Sequence, residues 1–149
     1  MIAQAETVFM IKKVIGTEGL MELPAKGNSM YPLIREGNIC TFEVCEIEKL
    51  KKGDIVLFLS PSGGLVAHRF VSYLEETGEY LFKGDTNLGM DAPVLQAQLL
   101  GRLVLIKKKQ FPLRADHPML WLWGKLVLSF PVISGLLRSF LNRRNPQHV

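Results

Sequence analysis

The sequence predicts a mainly β protein that starts with a short helix and ends in apolar helices. Three observations lead there. Between residues 20 and 107, short runs of β-branched, aromatic and leucine side chains alternate with Gly- and Pro-bearing turns. At both ends the apolar spacing becomes helical. The charge is also split. Residues 1–100 carry 9 Lys+Arg against 13 Asp+Glu, and residues 101–149 carry 9 against one, Asp116. A mildly acidic body therefore precedes a basic, apolar tail. The expected organisation is an N-terminal helix (1–19), a β-rich core (20–110) and a tail (111–149).

The elements follow in order. Residues 4–16 read as a helix, because Val8, Ile11 and Ile15 share a face and Lys12 and Lys13 leave it. Gly16 and Gly19 are expected to end it. Leu20 to Lys26 suits an edge strand around Pro24. Gly27 to Tyr31 is turn-like, and Pro32 blocks a regular strand. Ile39 to Val44 is β-like. Asp54 to Ser60 contains Ile-Val-Leu-Phe-Leu, a short buried strand after the turn pair Gly53-Asp54. Pro61 to Gly64 is a turn. Leu65 to Leu74, Tyr80 to Lys83 and Leu99 to Lys107 complete the strands. Several short strands with non-local pairing indicate one all-β core.

Composition excludes several classes. At 149 residues, 48% hydrophobic and 21% charged, the chain is neither disordered nor fibrous. Cys40 and Cys45 are spaced C-x4-C without a nearby His, a poor zinc signature, so no metal is expected. In an alternating segment they point to opposite faces and read as buried or half-buried thiols. The N-terminus shows neither a secretory signal nor a hydrophobic anchor.

Four local features carry candidate chemistry. They are Gly27-Asn28-Ser29-Met30-Tyr31-Pro32, Lys52-Gly53-Asp54-Ile55-Val56, Ala67-His68-Arg69-Phe70, and Lys83-Gly84-Asp85-Thr86-Asn87 with Asp91 beyond. A serine hydroxyl is a weak nucleophile until a base takes its proton. His68 is a candidate base, and a carboxylate orienting it would complete a triad. Spacing alone does not bring Ser29, His68 and Asp91 together. Asp54 reads as a turn cap. His117 and His148 are poorer base candidates, one preceding a proline and the other next to the C-terminus.

Together these segments resemble the S24/S26 serine peptidase family, on the signal-peptidase side with a Ser-His pair. The resemblance covers about residues 20–107 and is nearest to short bacterial members without an N-terminal anchor. It implies a signal-peptidase-like β-rich catalytic core. Ser29 would be the nucleophile and His68 the base, with Asp91 preferred over Asp85 as the acid orienting His68. Lys83 is the rival base of a Ser-Lys dyad, but the family's lysine position matches His68. Many relatives place a serine hydroxyl two residues before the nucleophile as an oxyanion donor. Here that position is Gly27, leaving the Ser29 N–H and the Asn28 amide as candidates. Met30 is expected in the core or beside the substrate, and Arg69 as a structural or surface partner. No cofactor is implied. The implied partner is a peptide bound in extended form.

The tail supports three arrangements. Met119 to Leu137 is 19 residues with one charge, Lys125, long enough for a spanning helix. Pro131 and Gly135 interrupt it, which also suits an interfacial pair of helices or a tail docked on the core. Trp121 and Trp123 suit a membrane interface. Lys107 to Lys109 and the C-terminal arginines favour an anionic membrane surface. No nucleic-acid partner is expected, because basic and aromatic residues do not interleave on one face. The expected location is the bacterial cytoplasm or a membrane surface. Two functions remain open: a serine endopeptidase cutting a leader or signal-like peptide, and a catalytically weak or inactive peptide-binding module of the same fold. A self-cleaving repressor would want a DNA-binding domain ahead of Gly27, for which 26 residues are too few.

Overall fold

The structure is a computed structural model, and it describes residues 2–144. His148 lies outside the described residues. Helix α1 (Ile2–Glu18) leads into eight strands: β1 (Leu20–Pro24), β2 (Ile39–Glu43), β3 (Ile55–Leu59), β4 (Leu65–Leu74), β5 (Glu79–Lys83), β6 (Val94–Leu95), β7 (Leu99–Lys107) and β8 (Pro112–Arg114). Helices α2 (Pro118–Ser129) and α3 (Pro131–Arg144) follow. The protein is therefore mainly β with helices at both ends, as the sequence predicts.

The strands form one curled antiparallel sheet in the order β1-β2-β7-β3-β4-β5-β6, with β8 also paired to β7. Strand β7 is the hub. It pairs β2 through Arg102 to Lys107 and β3 through Leu99 to Arg102. All five residues of β3 are buried, so the strand separates two cores. Ile55 and Leu57 join Ile11, Ile15 and Phe42 on one side, and Val56 and Phe58 join Phe70, Phe82 and Val94 on the other. A continuous apolar run is what burial on both faces requires.

Helix α1 buries Ile11 and Ile15, two of the three residues on the expected face, with Val8 half-buried beside them. It passes through Gly16 and ends at Gly19, where a φ of +82° suits the left-handed cap and the Gly19 N–H donates to the Ile15 carbonyl at 2.8 Å. Gly16 does not stop the helix, since a glycine inside a helix costs only about 1 kcal/mol against alanine. Strand β1 is at the sheet edge, as Pro24 suggests. Two short strands escape the sequence reading. β6 has only two residues, and β8 lies in the stretch that composition groups with the tail.

Cys40 is buried in the first core, and Cys45, beyond the end of β2, packs against the second. Both are free thiols. Pro131 breaks the tail into two helices bent by 97°, and neither alone is long and apolar enough to cross a membrane. The tail as one continuous spanning helix is thereby corrected. The bent pair passes the same test by length and composition.

Candidate active site

Ser29 sits in the loop between β1 and β2. The loop turns at Gly27, whose φ of +73° is costly for any residue with a Cβ. Buried Met30, Leu33 and Ile34 pin it into the first core. The Ala25 N–H donates to the Asn38 carbonyl at 2.8 Å, and the Glu36 N–H donates to Asn28 Oδ1 at 3.3 Å. Met30 is thus a core residue, only 3% exposed. The Asn28 side chain braces the loop through its carbonyl oxygen, and Gly27 contributes no side-chain donor.

His68 lies on β4, opposite Val56 of β3, and is buried. Its ring packs edge-on to Phe58, with centroids 6.3 Å apart. Asp91 lies in the loop after β5, where its own N–H donates to the Phe82 carbonyl at 2.8 Å. From three separate segments, the fold brings three side chains together. His68 Nε2 is 2.9 Å from Ser29 Oγ, and His68 Nδ1 is 2.5 Å from Asp91 Oδ2. A carboxylate oxygen at Nδ1 fixes the tautomer: Nδ1 carries the proton and donates to Asp91. Nε2 then holds a lone pair for the Ser29 hydroxyl, the arrangement a base needs.

Asp85 is elsewhere, so its reading as the acid orienting His68 is corrected. Its side chain is fully buried and accepts from Arg69 Nε at 2.7 Å and Nη2 at 3.0 Å. Alternation along β4 explains the division, since adjacent residues face opposite sides. His68 turns to Ser29 and Arg69 turns away, where its Nη1 also donates to the Gly53 carbonyl at 3.0 Å. Of the two expected roles, structural or surface partner, the buried Arg69 has the structural one. Lys83 is not paired with Ser29. Its Nζ donates to Ser134 Oγ on α3 at 2.8 Å, and burial holds its pKa below the usual lysine value against the opposing pull of Asp85 and Asp91. Asp54 caps its turn by accepting from the Lys51 N–H at 2.9 Å.

The sequence reading misses two residues of this region. The Trp123 indole N–H donates to Asp85 Oδ2 at 3.1 Å, and Ser134 takes the Lys83 ammonium. Both lie in the tail, far from the motifs they meet, and neither carries a local signature. His117 accepts from the Met119 N–H through Nδ1 at 3.1 Å and caps α2. Among the described residues no His, Cys, Asp or Glu cluster suits a metal ion.

Comparison with known proteins adds one finding. Over 70 residues the chain is 36% identical to signal peptidase I W of Bacillus subtilis (strain 168). That stretch is 44% of this chain and 37% of the relative, so the chain spans little more than a third of the length of the protein it matches. No family model matches the chain, and no solved structure matches it.

Proposed function

We propose that this protein is a serine endopeptidase of the signal-peptidase kind with a Ser-His pair, cutting a leader or signal-like peptide. The observation that carries this reading is the continuous hydrogen-bond chain Ser29–His68–Asp91. The partial similarity to a signal peptidase agrees with it.

The chemistry follows from the geometry. His68 Nε2 takes the Ser29 proton as Oγ attacks the scissile carbonyl carbon. Asp91 stabilises the imidazolium through Nδ1–H. The tetrahedral intermediate collapses as the C–N bond breaks, and His68 gives its proton to the leaving amine. This leaves an acyl ester on Ser29. Water, deprotonated by His68, then releases the peptide acid and restores Ser29. The Ser29 backbone N–H is the donor at hand for the oxyanion, and a site lacking a second donor is slower by about 10²–10³. The peptide is bound as an extended strand. Among the described residues β1 pairs only with β2, so its outer edge offers backbone groups for such pairing, and its chain leads into the Ser29 loop.

The membrane partner belongs to the same proposal. Met119, Leu122 and Leu126 on α2, Phe130 between the helices, and Val132 and Leu136 on α3 are 38–71% exposed. Residues 118–144 hold four basic side chains and no acid. An apolar stripe with cationic flanks suits an anionic bilayer surface. Flotation with vesicles containing phosphatidylglycerol should carry the full chain upward, and phosphatidylcholine vesicles should carry little. Failure to float with the phosphatidylglycerol vesicles would remove the membrane reading, and equal flotation with both would remove its anionic preference.

The test of the peptidase reading is cleavage of quenched-fluorescence leader peptides with small residues before the cut. The full chain should cleave some of them, and Ser29→Ala should abolish cleavage. Cleavage surviving in Ser29→Ala would end the proposal. The absence of a side chain at Gly27 favours one second reading, a peptide-binding module with little or no catalysis. Binding of the same peptides without turnover would support it.

A further inference from the structure

Behind the Ser29–His68–Asp91 chain lies a second buried polar cluster that the peptide chemistry does not use. It comprises Arg69, Lys83, Asp85 and Ser134, all buried, with the Trp123 indole at its edge. The helices α2 and α3 close this cluster. The Trp123 N–H reaches Asp85 Oδ2 at 3.1 Å, and Ser134 Oγ receives Lys83 at 2.8 Å. Gly124 lets α2 approach, since a Cβ there would sit 2.7 Å from Arg69 Nη1. A helix that only covered an apolar core would gain nothing by presenting an indole N–H and a hydroxyl there. Buried polar groups are costly unless paired, and these two are paired.

The segment they hold touches both reacting side chains. Lys83 and Asp85 flank Gly84. A Cβ on Gly84 would lie 3.0 Å from His68 Nε2, so this backbone is a wall of the imidazole's site. One residue on, the Thr86 N–H donates to the Ser29 carbonyl at 3.0 Å. The residues 83–86 thus meet α2 and α3 through their side chains at 83 and 85, and meet His68 and Ser29 through their backbone at 84 and 86. Arg69, bound to the same Asp85, is the next residue after His68.

We propose that Trp123 and Ser134 are positioning residues, through which α2 and α3 hold segment 83–86 and so keep His68 and Ser29 in reacting register. This rests on the peptidase reading of Ser29. Neither residue touches substrate. Both act through the backbone wall they anchor, and a shift of about 1 Å at a reacting pair is enough to cost about 100-fold in rate.

The test uses the full chain with Trp123→Phe, which removes the indole N–H and trims the ring while keeping an aromatic side chain, and Ser134→Ala. Trp121→Phe is the control, since Trp121 is exposed on the same helix. Two readouts apply: the rate at which a fluorophosphonate labels Ser29, and the low-field NMR resonance of the His68 Nδ1 proton. Trp123→Phe and Ser134→Ala should each slow labelling by about 10- to 100-fold and broaden or shift the resonance. Trp121→Phe should change neither. Folded variants with wild-type labelling and a wild-type resonance would overturn the inference while leaving the peptidase reading intact. If the unaltered chain fails to label, the peptidase reading falls, and the resonance still decides whether the two residues position His68. If one variant does not melt cooperatively, the other decides. If neither does, the contacts serve folding and the positioning role is rejected.

Discussion

Asp91 Oδ2 lies 2.5 Å from His68 Nδ1, while Asp85, six residues earlier, has both oxygens on Arg69. Two acids of one sequence motif are therefore sorted into different work, and substitution should separate them. Asp91→Asn should lower kcat by about 10³–10⁴, because the amide favours the wrong imidazole tautomer. It should barely change the melting temperature, since the Asp91 side chain is 24% exposed. Asp85→Asn should fall mainly on stability, with at most the 10- to 100-fold loss of rate expected when segment 83–86 loses an anchor. It leaves the buried Arg69 charge without its partner, at a cost of about 3–5 kcal/mol, or a melting temperature lower by roughly 10 °C. Thermal melts and peptide cleavage on both variants check this.

Gly84 should tolerate no side chain. A Cβ there would come 2.7 Å from Asn87 Nδ2 and 3.0 Å from His68 Nε2. The Gly84 backbone itself is not in the left-handed region, so alanine fits the chain locally and the clash falls on the site. Gly84→Ala should lower kcat by about 10- to 100-fold with little change in the cooperative melt. Unchanged cleavage would mean that His68 has room to move.

Both cysteines should be unreactive in the folded protein. Burial, the largest influence on each, pushes the Cys40 and Cys45 thiols up to about 11. At pH 8 the thiolate is then about 100 times scarcer than for an ordinary thiol, and alkylation slows in proportion. Iodoacetamide should modify the native chain about 100-fold more slowly than the chain in denaturant. The sign for stability follows. A folded pKa above the unfolded one contributes stability below the ordinary thiol pKa, and that stability is lost as pH climbs toward 11.

Much of the site was readable because its parts are local motifs. Ser29 sits in a Gly- and Pro-bounded turn, His68 in a strand of clear alternation, and Asp91 just past a Lys-Gly-Asp turn. The strands were readable where four or more apolar residues stood between turn residues, as in Ile55 to Leu59. The two-residue strand β6 has too little pattern to read. Strand β8 is drawn into the sheet by pairing with β7, which its own three residues do not announce. The contacts of Trp123 with Asp85 and Ser134 with Lys83 join positions 38 and 51 residues apart, so only folding reveals them. In sequence Asp91 is preferred over Asp85 only by resemblance, because both lie in one short segment. Which one meets His68 depends on the alternation that turns Arg69 to the opposite face.

The central claim is that Ser29 is a nucleophile activated by His68. Its most direct measurement is mass spectrometry of the full chain after reaction with a fluorophosphonate. The account predicts one covalent adduct, mapped to the peptide containing Ser29, and its disappearance in His68→Ala. An unmodified Ser29 in the folded chain, or labelling at an equal rate in His68→Ala, would contradict it.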